Sequence, residues 1–339
     1  MSRAIKKFLG FLIFSIFLVN FTLPASAASK KILHVGGNAI GSIQYVFACG
    51  IGDVVEKHTN YKFEVKPHGN VITLPMFQTK EIDMAIASNE ESHYAYNGKE
   101  VYGEITDGKG IDLRMLMLGT RVAAGLVVAR DSGITSAKEL KGKKVVIDYG
   151  AHFGLSMGTR AGLYGVGLTE DDVKTVKANT VPEAMKMVIE GKADACFGAI
   201  GVPAFRELEA ARGALHLGID DTPENWKKIH EIFYGYFPIK VKPGYFSVKQ
   251  PIVLVGKNFA LICRADLSDD VAYQVTKTIW EHDAELAPYA PGLKDWVKAR
   301  FVATTSSAPY HPGAVKFYKE QGVWTDEMQK HQEKLLTKK

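Results

Sequence analysis

Residues 134–160 read ITSAKELKGKKVVIDYGAHFGLSMGTR, and this stretch indicates the fold class. Ser136 and Glu139 have the spacing of a capping box, which marks the start of a short helix. Gly142 ends that helix, and the apolar run Val145–Tyr149 predicts a buried strand that leads into a glycine-rich turn. The stretch therefore has the alternating helix and strand order of an α/β protein.

The same alternation continues on both sides of that stretch. Helical segments are predicted up to about Lys57, over Pro75–Lys80 and after the cap formed by Thr180 and Glu183. Predicted strands are Ile32–Val35, Tyr61–Lys66, Met84–Ala87, Leu113–Leu118, Leu126–Ala129, Ala195–Ile200 and Ile252–Ile262. β-α alternation of this kind predicts parallel sheets with helices on both faces.

The length of the chain predicts two lobes, because residues 28–339 exceed what one core usually covers. The strands near 113–130 end one α/β unit and begin another. The strand Ile252–Ile262 then precedes a helical C-terminal third, so the chain crosses between lobes twice. We expect the ligand cleft between the lobes, where strand ends and helix N-termini converge. The expected boundaries are residues 28–120 plus 245–339 for lobe 1 and 121–244 for lobe 2.

The N-terminus has the pattern of a cleavable signal peptide, residues 1–27. Basic side chains precede a largely apolar run from Phe8 to Phe21, and Ala25–Ala27 supplies the small residues of a cleavage site. A retained membrane anchor is the alternative, but the apolar run is short for a transmembrane span. No Cys lies near the cleavage site. We therefore expect a periplasmic protein without a lipid anchor.

Charge, cysteine and histidine content narrow the function classes. Removing the three basic residues of the signal peptide from the 42 Lys and Arg leaves 39, against 37 Asp and Glu. This small excess favours neither nucleic acid nor an anionic membrane as partner. Cys49, Cys196 and Cys263 lie in apolar runs and are predicted to be buried free thiols, with one disulfide as the alternative. No His has a partner at zinc-ligand spacing, so we predict no metal site and no cofactor.

A short motif raises the question of catalysis. Residues Gly154–Gly158 read GLSMG and match G-x-S-x-G, which holds the nucleophile of α/β-hydrolases on a sharp turn directly after a strand. Here the predicted strand ends near Tyr149, seven residues before Ser156. We therefore place Ser156 in the first turn of a helix and predict no enzyme activity. A secreted serine hydrolase that uses Ser156 is the alternative from another class.

Glycine-rich or polar loops follow four predicted strands, at Gly36–Ser42, Gly69-Asn70, Ser88-Asn89 and Gly150–Phe153. Glycine lets backbone N–H groups approach an anion, and the N-terminus of a following helix adds positive potential. The loops therefore predict a cleft for a small organic anion with one or two carboxylates, and we expect a monomer. Ordinary α/β turns are the alternative.

Several of these residues have a local alternative role. Asn70 can cap the helix that follows it, and Ser88 and Asn89 can be turn residues. Arg121 is either a bidentate clamp on a ligand carboxylate or a surface charge. Tyr45 either contacts the ligand or packs in the core. The same two alternatives apply to His152 and Phe153.

Segments across nearly the whole mature chain resemble the TAXI-type solute receptors of tripartite ATP-independent periplasmic (TRAP) transporters. These segments are GGNAIGSIQY, HGNVITLPMFQTKEIDMAIASNEE, SGITSAKELKGKKVVID, EGKADACFGAIGVPAFREL and HPGAVKFYKEQGVW. The resemblance implies the two-lobed type II periplasmic-binding-protein fold and capture of an organic acid such as glutamate or 2-oxoglutarate. It also implies delivery of that ligand to a membrane permease, although a sensor protein is an alternative recipient.

Two departures from the family lie at ligand-facing positions. The family usually has a richer glycine run with a paired Tyr where this chain has Gly41–Tyr45, and Gly-Ser-Gly-Thr where it has Gly150–Phe153. The class of protein can therefore be transferred, whereas the identity of the ligand cannot. The expected ligand-binding residues are Gly41, Ser42, Gln44, Tyr45, Gly69, Asn70, Ser88, Asn89, Arg121, Gly150, Ala151, His152, Phe153 and Gly201.

Overall fold

The structure is a computed structural model that describes residues 29–337. The predicted signal peptide, residues 1–27, lies outside the described residues. Within residues 29–337, no helix combines the length and the apolar character that crossing a membrane requires.

The described strands form one ten-stranded mixed sheet. Its order is β2-β1-β3-β10-β4-β7-β5-β6, with β8 also paired to β4 and β9 to β10. The strands are β1 Lys31–Gly36, β2 Tyr61–Lys66, β3 Met84–Ser88, β4 Leu113–Ala129, β5 Lys144–Asp148, β6 Lys174–Lys177, β7 Ala195–Ala199, β8 Ala214–Leu217, β9 Phe237–Val241 and β10 Ile252–Arg264.

Helices fill the connections between the strands and form the C-terminal region. Short 3-10 turns occupy Arg130–Ser132, Ala137–Leu140, Glu170–Asp172, Asp283–Leu286 and Pro291–Asp295. The helices are α1 Ile43–His58, α2 Asn70–Thr73, α3 Met76–Thr79, α4 Asn89–Asn97, α5 Val101–Ile105, α6 Phe153–Tyr164, α7 Val181–Ile189, α8 Phe205–Arg212, α9 Pro223–Ile232, α10 Asp269–Glu281, α11 Lys298–Phe301, α12 Pro312–Glu320 and α13 Asp326–Leu336.

The local sequence signals are confirmed. Ser136 and Glu139 form the predicted capping box, although the element that they start is a single 3-10 turn. Thr180 caps α7, where its hydroxyl accepts a hydrogen bond from the backbone N–H of Glu183. These signals depend on neighbours in the sequence, so the sequence alone was sufficient to find them.

The prediction of two strands at 113–118 and 126–129 was wrong, because β4 is one continuous strand. Gly119 and Gly125 lie between the two predicted segments, and they serve close packing inside the strand. A Cβ at Gly119 would lie 2.3 Å from the ring of Trp296, and one at Gly125 would lie 2.7 Å from Leu254 Cδ2. Glycine inside a strand often marks such a close approach.

The prediction of parallel sheets is confirmed only in part. β1 is parallel to β2 and β3, and β5 is parallel to β6 and β7. The long strand β10, however, is antiparallel to β3, β4 and β9, and β4 is antiparallel to β7 and β8. The order of elements in the sequence does not fix the direction in which such connecting strands cross the sheet.

The antiparallel pair β4–β10 connects the two halves of the sheet. Leu113–Leu118 pairs with the end of β10 beside β3, whereas Ala124–Ala129 pairs with β7 and β8. The register shifts between Asn258 and Ala260, which is the signature of a β-bulge. The residues on either side of this register shift therefore lie between the two halves of the sheet.

Two of the three cysteines are buried as predicted. Cys196 on β7 and Cys263 on β10 are fully buried, but Cys49 on α1 is only partly so. Burial raises the pKa of the Cys196 thiol to about 12 and raises that of Cys263 further. Both thiols are therefore protonated and unreactive at neutral pH.

Candidate functional site

A cavity lies between the two halves of the sheet, beside the β4–β10 pair. Its volume is about 30 Å³, which is enough for roughly two water molecules. The residues that line it are Asn38, Ala39, Ser42, Ile43, Gln44, Glu91, Ala124, His152, Gly154, Leu155, Val181, Phe197, Gly198, Ala199, Val202, Lys257 and Phe259. The wall is thus mainly apolar, with a small number of polar groups.

The N-terminus of α1 forms one wall of this cavity. Ser42 caps the helix, since its hydroxyl accepts a hydrogen bond from Tyr45 N at 3.2 Å. The turn before it needs unusual backbone conformations: Gly41 has a φ of 84° and Asn38 a φ of 64°. The helix therefore directs its positive end at the cavity while the Ser42 side chain is used as a cap.

Lys257 is the only buried lysine among the described residues, and its side chain lines the cavity. Its Nζ lies 3.6 Å from Oε1 of Glu90 and 3.5 Å from the carbonyl oxygen of Gly154. The distance to Glu90 exceeds that of a good hydrogen bond, so the pair is held by charge without a close contact. The ammonium group has three N–H donors, so it can bind an anion at a shorter distance than the one to Glu90.

Glu90 is the buried counter-charge of Lys257, and only 1% of its surface is exposed. Neither of its carboxylate oxygens has a hydrogen-bond partner of normal geometry. Burial raises the pKa of Glu90, whereas the Lys257 cation and then the nearby Ser88 hydroxyl oppose that rise. A carboxyl group in this position is easier to protonate than an exposed one, which would leave Lys257 without its counter-charge.

Glu91 contributes a second buried carboxylate, which is held from both sides. Its Oε2 accepts a hydrogen bond from Asn70 Nδ2 at 2.8 Å, and its Oε1 accepts one from the Tyr102 hydroxyl at 2.9 Å. Burial raises the pKa of Glu91, and these hydrogen bonds oppose the rise. Asn70 therefore positions Glu91 rather than capping α2, whose N-cap is Gly69.

His152 contributes a neutral polar group to the wall opposite α1. It precedes α6, only 7% of its surface is exposed, and its Nδ1 has no hydrogen-bond partner. Burial lowers the pKa of this imidazole, so the neutral form predominates at neutral pH. An unpartnered nitrogen at a cavity wall is available to a ligand or a water.

The loops at Gly69 and Ala151 contact each other across the site. Val71 N donates a hydrogen bond to the carbonyl oxygen of Ala151, and a Cβ at Gly69 would lie 2.4 Å from that oxygen. Gly150, with a φ of 54°, turns the chain at this point. These residues allow the backbones of the two loops to pack closely, and they do not themselves line the cavity.

Other predicted site residues have packing roles. The Asn89 amide bridges to the C-terminal region through Thr305 O and Ser307 N. Phe153 packs edge-on against Tyr94, and Tyr45 lies against Gly37. Ser88 is buried beside Glu90 and does not line the cavity.

Arg121 lies away from this cavity, over the ring of Phe237 at 5.5 Å. Arg121 pairs with Asn258 and Val122 pairs with Lys257. Because side chains alternate between the two faces of a strand, Arg121 and Lys257 point to opposite faces of the sheet. Arg121 and Gly201 line a second, wider groove of about 730 Å³.

Ser156 has a structural role in α6. Its Oγ accepts a hydrogen bond from the buried backbone N–H of Tyr149 at 3.1 Å. The residue lies in the first turn of the helix, as predicted, and is 8% exposed. A nucleophile would instead need a base within hydrogen-bond reach of its oxygen.

The structure thus brings Ser42, Gln44 and His152 together at the cavity. The sequence analysis missed Lys257, Glu90 and Glu91, as well as Asn38, Phe197 and Phe259. One signal was available, because Lys257 and the adjacent Asn258 interrupt the otherwise apolar run IVLVGKNFALI in the middle of a predicted strand.

The fold is shared with several solved proteins. One is described as a periplasmic transporter, at 13% identity and a TM-score of 0.54, covering 91% of this chain and 97% of that chain. A second, from Bordetella bronchiseptica RB50, has 15% identity, a TM-score of 0.52 and coverages of 90% and 98%. PhnD1 from Prochlorococcus marinus (MIT 9301), solved with methylphosphonate, has 12% identity, a TM-score of 0.51 and coverages of 86% and 99%.

At these identities the likeness concerns the fold alone, which is the mixed α/β fold of the type II periplasmic binding proteins. The sequence itself matches a family model, that of the NMT1-like family, over residues 35–322. Because this match spans most of the chain, the protein belongs to the NMT1-like family.

Proposed function

We propose that this protein is a periplasmic solute receptor that binds a small organic anion in the cavity between the halves of its sheet. The observation that carries the proposal is Lys257, a buried ammonium group at the cavity wall whose counter-charge lies 3.6 Å away. A ligand carboxylate can approach the ammonium more closely than Glu90 does, and the positive end of α1 favours the same charge.

The cavity volume of about 30 Å³ is smaller than an organic acid requires. We infer that the protein opens to admit the ligand and closes around it, as two-lobed receptors do. The lobes are proposed to comprise residues 28–120 plus 245–339 and residues 121–244, with β4 and β10 as the connections. Ligand binding would stabilise the closed form through contacts that the open form lacks.

On the TAXI resemblance, we propose that the closed receptor delivers a carboxylate such as glutamate or 2-oxoglutarate to the permease of a TRAP transporter. No chemical step is involved. The use of Ser156 in this structure, as an acceptor for Tyr149 N, favours the receptor over the hydrolase.

A thermal-shift screen tests the proposal. The exported protein is heated with carboxylic acids, phosphonates, sugars and cationic amines, and calorimetric titration follows for each compound that raises the melting temperature. A ligand at 100 times its Kd stabilises the folded protein by about 2.7 kcal/mol. We expect a carboxylate to produce the largest shift. Stabilisation by a sugar or an amine, with none by any carboxylate or phosphonate, would refute an anion receptor.

Transport is tested separately, with the ligand found in that screen. Uptake into vesicles that contain the permease should require the receptor. Binding without receptor-dependent uptake would retain the anion site and reject the TRAP partner, in which case a sensor becomes the preferred recipient.

A further inference from the structure

The end of α1 and the turn after α10 bring three metal-binding side chains together, far from the cavity. His58 is the last residue of α1, His282 follows α10, and Glu285 lies in the 3-10 turn Asp283–Leu286. The donor atoms of these three residues all lie within 4.8 Å of one another. Because His58 and His282 are far apart in the sequence, no search for local ligand spacing could find this cluster.

The distances from Glu285 to the two imidazoles are close to those between the ligand atoms of a bound metal ion. Oε1 of Glu285 lies 3.0 Å from His58 Nε2 and 3.1 Å from His282 Nδ1. A tetrahedral zinc ion with bonds of about 2.0–2.1 Å holds its ligand atoms roughly 3.3 Å apart. The two imidazole rings are stacked face to face, so their nitrogen lone pairs lie in parallel planes, and one ring has to rotate out of the stack before both nitrogens can bind one ion.

The surroundings keep the three side chains close together. The two imidazole rings stack in parallel, with centroids 3.5 Å apart and an interplanar angle of 8°. Lys57 Nζ donates a hydrogen bond to the other oxygen of Glu285, Oε2, at 2.7 Å. That bond fixes the orientation of the carboxylate and leaves Oε1 to face the imidazoles, as outer partners of metal ligands commonly do.

The ligand set indicates the class of ion. Two imidazole nitrogens and one carboxylate oxygen suit zinc and its neighbours in the first transition row, whereas calcium and magnesium prefer sites made of oxygen alone. The side chains of His58, His282 and Glu285 are 23%, 30% and 34% exposed. Water can therefore reach the site and complete the coordination.

We propose that His58, His282 and Glu285 bind a divalent ion of the zinc class, which joins the end of α1 to the turn after α10. This site is independent of the organic-anion cavity. Its effect on the protein is structural, because the ion would link two segments that are far apart in the sequence.

The test uses the exported protein, purified without a polyhistidine tag and treated with a chelator. Calorimetric titration with Zn²⁺ should give one bound ion per chain and a higher melting temperature. Co²⁺ should develop the visible absorption of a tetrahedral or five-coordinate complex. His282→Gln should weaken Zn²⁺ binding by about 100-fold or more, since removal of an outer partner alone costs 10–100-fold.

The matched control is His34→Gln. His34 Nδ1 lies 3.7 Å from Glu64 Oε2, but among the described residues no third metal-binding side chain completes a cluster with this pair. This variant should bind Zn²⁺ like the wild type. If His282→Gln impairs folding, Glu285→Gln keeps the size of the side chain and should still weaken binding. Absence of stoichiometric Zn²⁺ binding, or binding that survives both His282→Gln and Glu285→Gln, would overturn the proposal.

Discussion

Where Arg121–Val122 of β4 pairs with Lys257–Asn258 of β10, each face of the pair carries one cation, and the surroundings of these two cations are opposite. Lys257 is 5% exposed and faces the cavity with Glu90, whereas Arg121 is exposed and lies over Phe237. Neighbouring positions in the register place them there, since Lys257 pairs with Val122 and Asn258 with Arg121. Strand alternation, rather than the stronger carboxylate geometry of Arg, therefore decides which of the two charges faces the cavity.

The strongest test of this comparison is Lys257→Met. The substitution leaves Glu90 as a buried carboxylate without its counter-charge, which typically costs about 3–5 kcal/mol of folding free energy. Ligand-dependent stabilisation should also disappear. Urea unfolding with and without the ligand measures both effects.

The control is the double variant Lys257→Met/Glu90→Gln, which removes both charges. It should recover much of the stability but none of the anion binding. If Lys257→Met alone still bound the anion with unchanged affinity, the assignment of Lys257 to the ligand would be wrong.

Ser156→Ala separates stability from binding on the cavity face. The substitution leaves the buried N–H of Tyr149 without its acceptor, at a cost of about 1–3 kcal/mol. Anion affinity should stay close to that of the wild type, because Ser156 does not line the cavity. Equilibrium unfolding and calorimetry measure the two quantities. Ester hydrolysis by the wild type that the variant lacks would instead support the hydrolase.

Glu91→Gln tests the electrostatics of the same face through pH. Burial raises the pKa of Glu91 above its ordinary value of 4.5, so the unfolded chain releases this proton at a lower pH than the folded protein. The stability contributed by Glu91 is therefore full below pH 4.5 and falls as pH rises through the raised pKa. The loss is about 1.4 kcal/mol for each unit by which the pKa is raised.

The measurement is the difference in unfolding free energy between the wild type and Glu91→Gln as a function of pH. This difference separates the contribution of Glu91 from that of His152. The pKa of His152 is lowered, so the protein loses the stability contributed by this imidazole as pH falls, which is the opposite direction. A difference that does not vary with pH would mean that the pKa of Glu91 is not raised.

The sequence predicted those features that depend on neighbouring residues. The Ser136 capping box, the Thr180 cap and the position of Ser156 within α6 follow from local spacing. The single strand β4 could not be predicted in this way, because Gly119 and Gly125 are required by Trp296 and Leu254, which are distant in the sequence.

The candidate site shows the same limit. The loops that precede α1 and α6 could be predicted from their glycines, and Ser42 and His152 do line one cavity. The surroundings of Lys257 could not be identified, because its burial depends on pairing with β4 and on Glu90 of α4. A lysine inside an apolar strand does not indicate by itself which element will face it.

Arg121→Gln is expected to have the smallest effect and completes the comparison with Lys257. Arg121 is exposed, and its contact is the ring of Phe237 rather than a buried carboxylate. Loss of an exposed cation–π contact costs about 0.5–1 kcal/mol. Anion affinity should therefore change by less than about threefold, because salt screens the long-range attraction between an exposed charge and the anion. In Lys257→Met, by contrast, anion binding should be lost. Parallel calorimetry of the two variants at one salt concentration makes the comparison. If Arg121→Gln abolished binding while Lys257→Met preserved it, the ligand would have to bind in the groove lined by Arg121 and Gly201, and the cavity at Lys257 would not be the receptor site.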